Sequence, residues 1–311
     1  MYCKKTTQVP AYLVFITSLI FIACQHQAAS TKLQQDSTAP SKLFQVGTPV
    51  ANINLSALDE ASGLVNSRSN PNYLWAHNDS GGEPVLFLID HKGDEKGRFR
   101  LKDAENIDWE DMAIGLGPNN DQHYLYAADI GDNQARRSSL SIYRVPEPDL
   151  SAIDQGLEQE DLMSVDKIDF VYEDGPRDAE VLLADPLTRN LYIVTKREEH
   201  VRLYRLAYPQ ETTRMDTAVW VSDLPFTYIT AGDISLDGEE VLIKNYLNIY
   251  YWKKATNESL EDLLKKQPKK LAYQPEPQGE AIAWKTDGTG FYTLSEKADS
   301  EYTILFEYRR N

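Results

Sequence analysis

Five acidic residues recur along this chain, each just before or within a short segment of small and apolar residues. They are Glu60 (before Leu64), Glu110 (before Ile114), Glu180 (before Ala184), Asp233 (before Ser235 and Leu236) and Glu280 (before Trp284), separated by 50, 70, 53 and 47 residues. A carboxylate repeated at one position of a repeating unit brings like charges together. At a few ångströms such charges either take up protons or hold a counter-ion. A hard divalent cation with oxygen ligands answers this best, and Ca2+, with about six to eight ligands in loose geometry, suits a ring of five better than Mg2+. The expected metal ligands are therefore Glu60, Glu110, Glu180, Asp233 and Glu280, with Asp108, Asp111 and Asp178 near the rim. Taken singly, each acid is better read as binding water, capping a turn or pairing with Lys196 or Lys244. The repeat turns the balance toward a metal. His77, His91, His123 and His200 are scattered and form no pair at zinc spacing.

The spacing also implies the elements. A period near 40–50 residues is that of a four-stranded propeller blade. After each acid segment a turn rich in Asn, Asp, Gly or Pro precedes a second strand, at Tyr73 to Ala76, Tyr124 to Ala128, Leu191 to Thr195, Val241 to Lys244 and Phe291 to Leu294. Third strands are expected at Val85 to Ile89, Leu140 to Val145, Arg202 to Leu206, Ile249 to Trp252 and Thr303 to Tyr308. Fourth strands fall at Gly97 to Leu101, Lys167 to Tyr172, Ala218 to Ser222 and Lys269 to Tyr273, and the last repeat runs out of chain. Lys42 to Val50 is an orphan strand placed to complete it, which removes the open sheet edges. The expected fold is all-β, a propeller of five four-stranded blades closed by an N-terminal strand. Six blades is the alternative raised by the long interval, whose surplus of roughly 20 residues is short of a blade of about 40. That surplus, Glu147 to Asp166, reads as an insertion between strands, and Glu258 to Lys266 as a short amphipathic turn or two.

In such a ring, the loops joining second to third strands open beside the acids. They place His77, Asn78, Asp79, Asp129, Asp132, Asn133, Lys196, Arg197, Lys244, Asn245, Glu296 and Lys297 around the mouth as the ligand-binding rim. Asp79 and Asp129 are candidates to orient water, and Lys196 and Lys244 to steady an anionic substrate, the equipment of metal-assisted hydrolysis. Turn chemistry explains the Asp129 to Asn133 segment equally well, and charge neutralisation explains Lys196 and Arg197.

The N-terminus reads as an address. Lys4 and Lys5 precede an apolar run from Tyr12 to Ala23, and Phe21-Ile22-Ala23-Cys24 resembles a lipoprotein cleavage site, so residues 1–23 are the expected signal peptide and Cys24 the lipidated residue. The run is shorter than the roughly 18–20 apolar residues that span a bilayer. Residues 24–41 read as a flexible tether and 42–311 as the folded domain. With Cys3 cleaved and Cys24 acylated, no thiol remains for a disulfide, a metal or catalysis. The chain carries 48 acidic and 32 basic residues, a formal charge of −16, which losing Lys4 and Lys5 moves to −18. That charge, without a basic stripe, excludes nucleic acid as a partner. The expected location is the bacterial cell envelope, facing the periplasm or exterior as a monomer held to the membrane through the Cys24 lipid alone.

The phrases Trp75-Ala-His-Asn-Asp-Ser-Gly-Gly82, Asp108-Trp-Glu-Asp111, Asp129-Ile-Gly-Asp-Asn133, Asp178-Ala-Glu180 and Gln278-Gly-Glu-Ala281 resemble those of secreted bacterial β-propellers of the phytase-like and esterase-like kind. The blade count and recurring acid also resemble the architecture of calcium-activated apyrases. These resemblances imply an axial calcium and hydrolysis of a phosphate or carboxylic ester.

Two main functions stand side by side. One is a binding module that takes a small molecule, glycan or protein at the channel mouth, with calcium as a staple. The other is a metal-dependent hydrolase, for which no Gly-x-Ser-x-Gly elbow supplies a serine nucleophile. A glycosidase is a third reading, tested by the separation of two ring carboxylates.

Overall fold

The computed structural model describes residues 39–151, 160–297 and 300–311. The expected signal peptide 1–23, the expected lipidation residue Cys24 and the expected tether as far as residue 38 lie outside the described residues. Among the described residues the fold is all-β with one short helix, and no helix is long and apolar enough to cross a membrane.

The chain is laid down as successive antiparallel meanders. After β1 (Thr48–Ile53) come β2 (Ala61–Asn66), β3 (Tyr73–Asn78), β4 (Val85–Asp90) and β5 (Glu95–Leu101), paired in that order. Next are β6 (Trp109–Leu116), β7 (His123–Asp129) and β8 (Leu140–Pro146). Then β9 (Glu160–Met163) returns to lie parallel to β5, and β10 (Asp166–Tyr172) completes the sheet on β8. The third group is β11 (Ala179–Ala184), β12 (Leu191–Thr195), β13 (Val201–Leu206) and β14 (Asp216–Leu224), whose outer strand pairs parallel with β10 to make one eight-stranded sheet. The fourth is β15 (Ile229–Ile234), β16 (Glu240–Asn245), β17 (Ile249–Lys253), α1 (Leu260–Leu264) and β18 (Lys269–Leu271). The last is β19 (Gly279–Trp284), β20 (Gly290–Ser295) and β21 (Thr303–Arg309), on which β1 pairs antiparallel from Thr48 opposite Glu307 to Ile53 opposite Thr303.

Burial falls from the first strand of each group to the last. Every residue of β2, β11, β15 and β19 is buried, as is nearly all of β6, so these read as apolar runs covered on both faces. Of the outer strands, β10 alternates buried and half-buried positions from Ile168 to Tyr172, and β14 buries only Ala218 and Leu224. The first strands pack on one another in a cycle: β2 lies against β6 and β19, β6 against β11, β11 against β15, and β15 against β19. Apolar clusters fill the spaces between neighbouring sheets. Trp75, Phe99, Trp109 and Tyr143 sit between the first and second groups, and Phe44, Tyr251, Trp284 and Phe291 between the fourth and fifth.

Two sequence expectations are corrected. The N-terminal strand runs over Thr48–Ile53 rather than Lys42 to Val50. Upstream of it only single bridges form, Ser41 with Leu271 and Phe44 with Arg310, and Phe44 serves as a core plug. The polar segment before Asp166 is not wholly an insertion, because β9 extends the first sheet along its outer edge.

Candidate functional site

Each first strand opens with a β-bulge. Pairing steps from Ala61 to Gly63 in β2, Trp109 to Asp111 in β6, Ala179 to Val181 in β11, Ile229 to Ala231 in β15 and Gly279 to Ala281 in β19. The residue left out of the ladder is Ser62, Glu110, Glu180, Thr230 or Glu280. A bulge re-aims a side chain out of the pleat, and here it sets the true register of the repeat. Two of these positions carry hydroxyls that tie neighbouring inner strands. Ser62 Oγ donates to the Glu110 carbonyl, and Thr230 Oγ1 donates to the Gly279 carbonyl at 3.1 Å.

The other three carry carboxylates that enter one acidic cluster. Side-chain oxygens of Glu110, Asp178 and Glu180 lie within 4.8 Å of one another, as do those of Asp79, Asp108 and Glu110, and those of Asp79, Glu280 and Glu296. Asp108 and Asp178 stand two residues before their bulges, while Asp79 and Glu296 follow the ends of β3 and β20. Lys196, just after β12, pairs with Glu180, and Arg197 pairs with Asp178 while also meeting Asn133. Tyr246 donates to Glu280 Oε1 at 2.6 Å, with the Lys196 ammonium 5.9 Å from the centre of its ring. Carboxylates outnumber the cations that touch them. Glu180 Oε2 and Asp79 Oδ1 have no hydrogen-bond partner although both atoms are buried.

The electrostatics record that excess. Burial, then the charges of Glu280 and Asp108, push Asp79 from 3.8 up to about 7. Glu110 is raised well above the usual carboxylate range by burial, then by Glu180 and Asp79. Glu180 is also raised, chiefly by burial, although Lys196 opposes the shift. Burial followed by Glu280 raises Glu296, and burial followed by Asp178 raises Asp108. For Lys196, burial disfavours the charge but Glu180 outweighs it, so the ammonium is held above its ordinary range.

The loop after β7 frames one wall. Arg137 Nη1 donates to Asp129 Oδ1 at 2.7 Å and to the Gly131 carbonyl at 2.8 Å, while its backbone amide donates to Asp132 Oδ2 at 2.8 Å. Asp129 Oδ1 also accepts from the Asp108 amide at 3.1 Å, and the Asp132 amide donates to Asp178 Oδ1 at 2.9 Å. Gly131 is required by close approach: a Cβ there would run into the Glu110 and Asp108 carboxyl groups.

Several residues read as site members serve other roles, and Glu60 stands at the edge of the cluster, where its charge acts on Asp79 and Glu296. Asp233 is a strut: Oδ1 accepts from the Ile234 amide at 2.8 Å and Oδ2 from the Trp284 amide at 2.7 Å, tying β15 to β19. Asp111, fully buried, ties β6 to β11 in the same way through the Leu182 amide at 3.0 Å. Glu60 is exposed and stands outside the three carboxylate groups, beside a surface groove of about 710 Å3 that it shares with Asp59, Glu296 and Lys297. Lys244 is fully buried against the Gly279 carbonyl and the Tyr273 ring, and burial lowers it to about 8. The His77 ring is also buried, edge-on to Trp109 at 5.1 Å. Asn78 and Asn245 cap turns: Asn78 Nδ2 donates to the Ala57 carbonyl at 2.7 Å, and Asn245 Oδ1 accepts from the Asn248 amide at 2.9 Å. Arg137, Ser62 and Thr230 carried no sequence signal, whereas the shared Asp-x-Glu spacing of Asp108 with Glu110 and Asp178 with Glu180 did.

No family model matches this chain, and no curated protein matches it. The chemistry of the cluster is therefore the guide to its use.

Proposed function

We propose that the chain is a five-bladed β-propeller whose acidic axial mouth holds one divalent cation, Ca2+ in preference to Mg2+, beneath a surface that binds a small molecule, glycan or protein. The cyclic packing of five first strands and the closing of the last sheet by β1 support the propeller reading. One observation carries the cation: Glu110, Asp178 and Glu180 converge within 4.8 Å while Glu180 Oε2 is buried without a partner. Oxygens bound to one Ca2+ at about 2.3–2.6 Å lie no more than about 5 Å apart, a span this group already meets. An all-carboxylate donor set suits a hard cation, which replaces the protons the cluster otherwise takes up. The sequence of residues 1–24 supports a lipid anchor at Cys24, and with it an envelope location.

Thermal unfolding of the full chain in detergent, in EDTA and in millimolar Ca2+ or Mg2+, tests the reading. A ligand at 100 times its Kd adds about 2.7 kcal/mol, which for a domain of this size raises Tm by roughly 5 °C or more. A Ca2+-selective rise that Glu180→Gln removes supports the site, and no rise with any divalent cation overturns it.

Hydrolysis of a phosphate or carboxylic ester is the second reading, favoured by Asp79. Its unpartnered Oδ1 and its value near 7 fit a base that takes a proton from a cation-bound water. Release of 4-nitrophenol from its phosphate and acetate esters, lost in Asp79→Asn with Ca2+ binding intact, separates an enzyme from a binding module.

A further inference from the structure

The end of the inner strands opposite the acidic cluster has the reverse character. A cavity of about 550 Å3 opens there between the segment following β2 and the turn following β19, lined among others by Arg68, His91, His123, Lys285, Leu236 and Tyr292. A smaller cavity of about 190 Å3 shares Arg68, His123 and Leu236 and continues beneath the ends of β6, β11 and β15. Arg68 thus stands where the two meet.

Arg68 is placed there by its backbone. Glu147, following β8, accepts from Ser67 Oγ at 2.7 Å, the Arg68 amide at 3.0 Å, the Ser69 amide at 2.9 Å and Trp75 Nε1 at 3.0 Å. With its oxygens engaged in this way, Glu147 fixes the loop without touching the guanidinium. Arg68 Nε and Nη1 are buried with no hydrogen-bond partner, and so is His91 Nε2. A buried donor left unpaired costs on the order of 1–3 kcal/mol, more when charged, so the two Arg68 nitrogens are a standing demand for an acceptor, whereas His91 Nε2 donates or accepts according to its tautomer. The acids on the lining do not meet it. Asp287 accepts from the Thr289 amide at 2.9 Å, and Asp237 from the Glu239 amide at 3.0 Å.

Cationic charge reaches both histidines of the lining. Burial first, and then the Arg68 charge, lower His123, while burial and then the Lys285 charge lower His91. Arg68 also feels the charges of Asp233 and Glu147, and His91 those of Glu307 and Asp90, so the pocket is of mixed charge. Lys285 is held by Glu307 at 2.8 Å, which leaves Arg68 as the cation without an ion pair. Apolar contact is available beside the charge: Leu236 and Leu187 are exposed, and Tyr292 lies against His91 at 5.1 Å.

We propose that this cavity binds a small organic acid, with its carboxylate on Arg68 and its carbon body against Tyr292, Pro71 and Leu236. The site is separate from the acidic cluster and stands whether or not that cluster holds a cation.

Calorimetric titration of the full chain in detergent, with benzoate, citrate and inorganic phosphate at constant ionic strength set by chloride, tests it. The expected result is saturable binding of benzoate or citrate, weakened at least tenfold in Arg68→Gln. Leu236→Glu, which places a like charge on the lining without touching Arg68, is expected to weaken binding to a similar extent and covers the case in which Arg68→Gln fails to fold. Arg214→Gln, which removes an exposed arginine paired only with Glu211, is expected to leave binding unchanged. Binding of phosphate alone, binding that survives both cavity variants, or no binding of either carboxylate overturns the proposal.

Discussion

The proposed Ca2+ site predicts a pH-dependent stabilisation that follows from the raised carboxylates. Asp79 moves from 3.8 to about 7 on folding without a cation. A carboxyl group that ionises later in the folded state than in the unfolded state makes stability fall as pH rises between the two values. At about 1.4 kcal/mol per pH unit, Asp79 alone removes up to about 3 kcal/mol between roughly pH 5 and pH 7. Glu110, Glu180, Glu296 and Asp108 are raised too and act in the same sense. A bound Ca2+ lets the cluster ionise and cancels the loss. Buried His77 and half-buried His91 and His123 are lowered, which makes stability rise with pH in part of the same window. That contribution is common to both states of the site, so the informative quantity is the difference between Ca2+ and EDTA. Urea unfolding of the full chain at about pH 5, 6 and 7 in each medium is expected to give a difference that grows with pH by about 3 kcal/mol or more. A difference that is constant or shrinks as pH rises refutes the assignment of the raised carboxylates to a cation site.

Three further outcomes are expected. Asp233→Asn places an amide N–H against the Trp284 amide or the Ile234 amide, each now accepted by a carboxylate oxygen. It should cost about 1–3 kcal/mol in urea unfolding and leave Ca2+ affinity unchanged, in contrast to Glu180→Gln. Gly131→Ala drives a methyl group into the Glu110 and Asp108 carboxyl groups; a loss of about 1–3 kcal/mol together with the loss of the Ca2+-induced Tm rise is expected by calorimetry. Glu147→Ala strips acceptors from Ser67, Arg68, Ser69 and Trp75, and a fall of several kcal/mol in chemical denaturation is expected because buried donors are left unpaired.

Most strands were legible in the sequence because their apolar runs and the turns that bound them are local. The closing role of the N-terminal segment was legible because the last repeat lacks a strand, but its bounds were not. Phe44 reads as a strand residue and is instead a plug against Tyr251, Trp284 and Phe291. Three of five ring positions, Glu110, Glu180 and Glu280, coincide with the bulge residue. Glu60 and Asp233 match the ring positions by residue type alone. The bulge places Ser62 and Thr230 at those positions, and a bulge is a property of strand pairing that residue type alone does not announce. Lys244 looked like a rim cation because it ends a second strand, yet its ammonium is buried against the Gly279 carbonyl. Arg68 carries no such signal, since a single arginine after a strand acquires meaning only when Glu147, 79 residues away, fixes its loop.

The central claim is that Glu110 and Glu180 share a cation. A crystal structure of the protein grown with Ca2+ tests it most directly. The account predicts one ion with oxygen atoms of Glu110 and Glu180 at about 2.3–2.6 Å, and none in crystals of Glu180→Gln grown in the same way. Density for water alone at that position in saturating Ca2+, with the carboxylates still packed together, contradicts it.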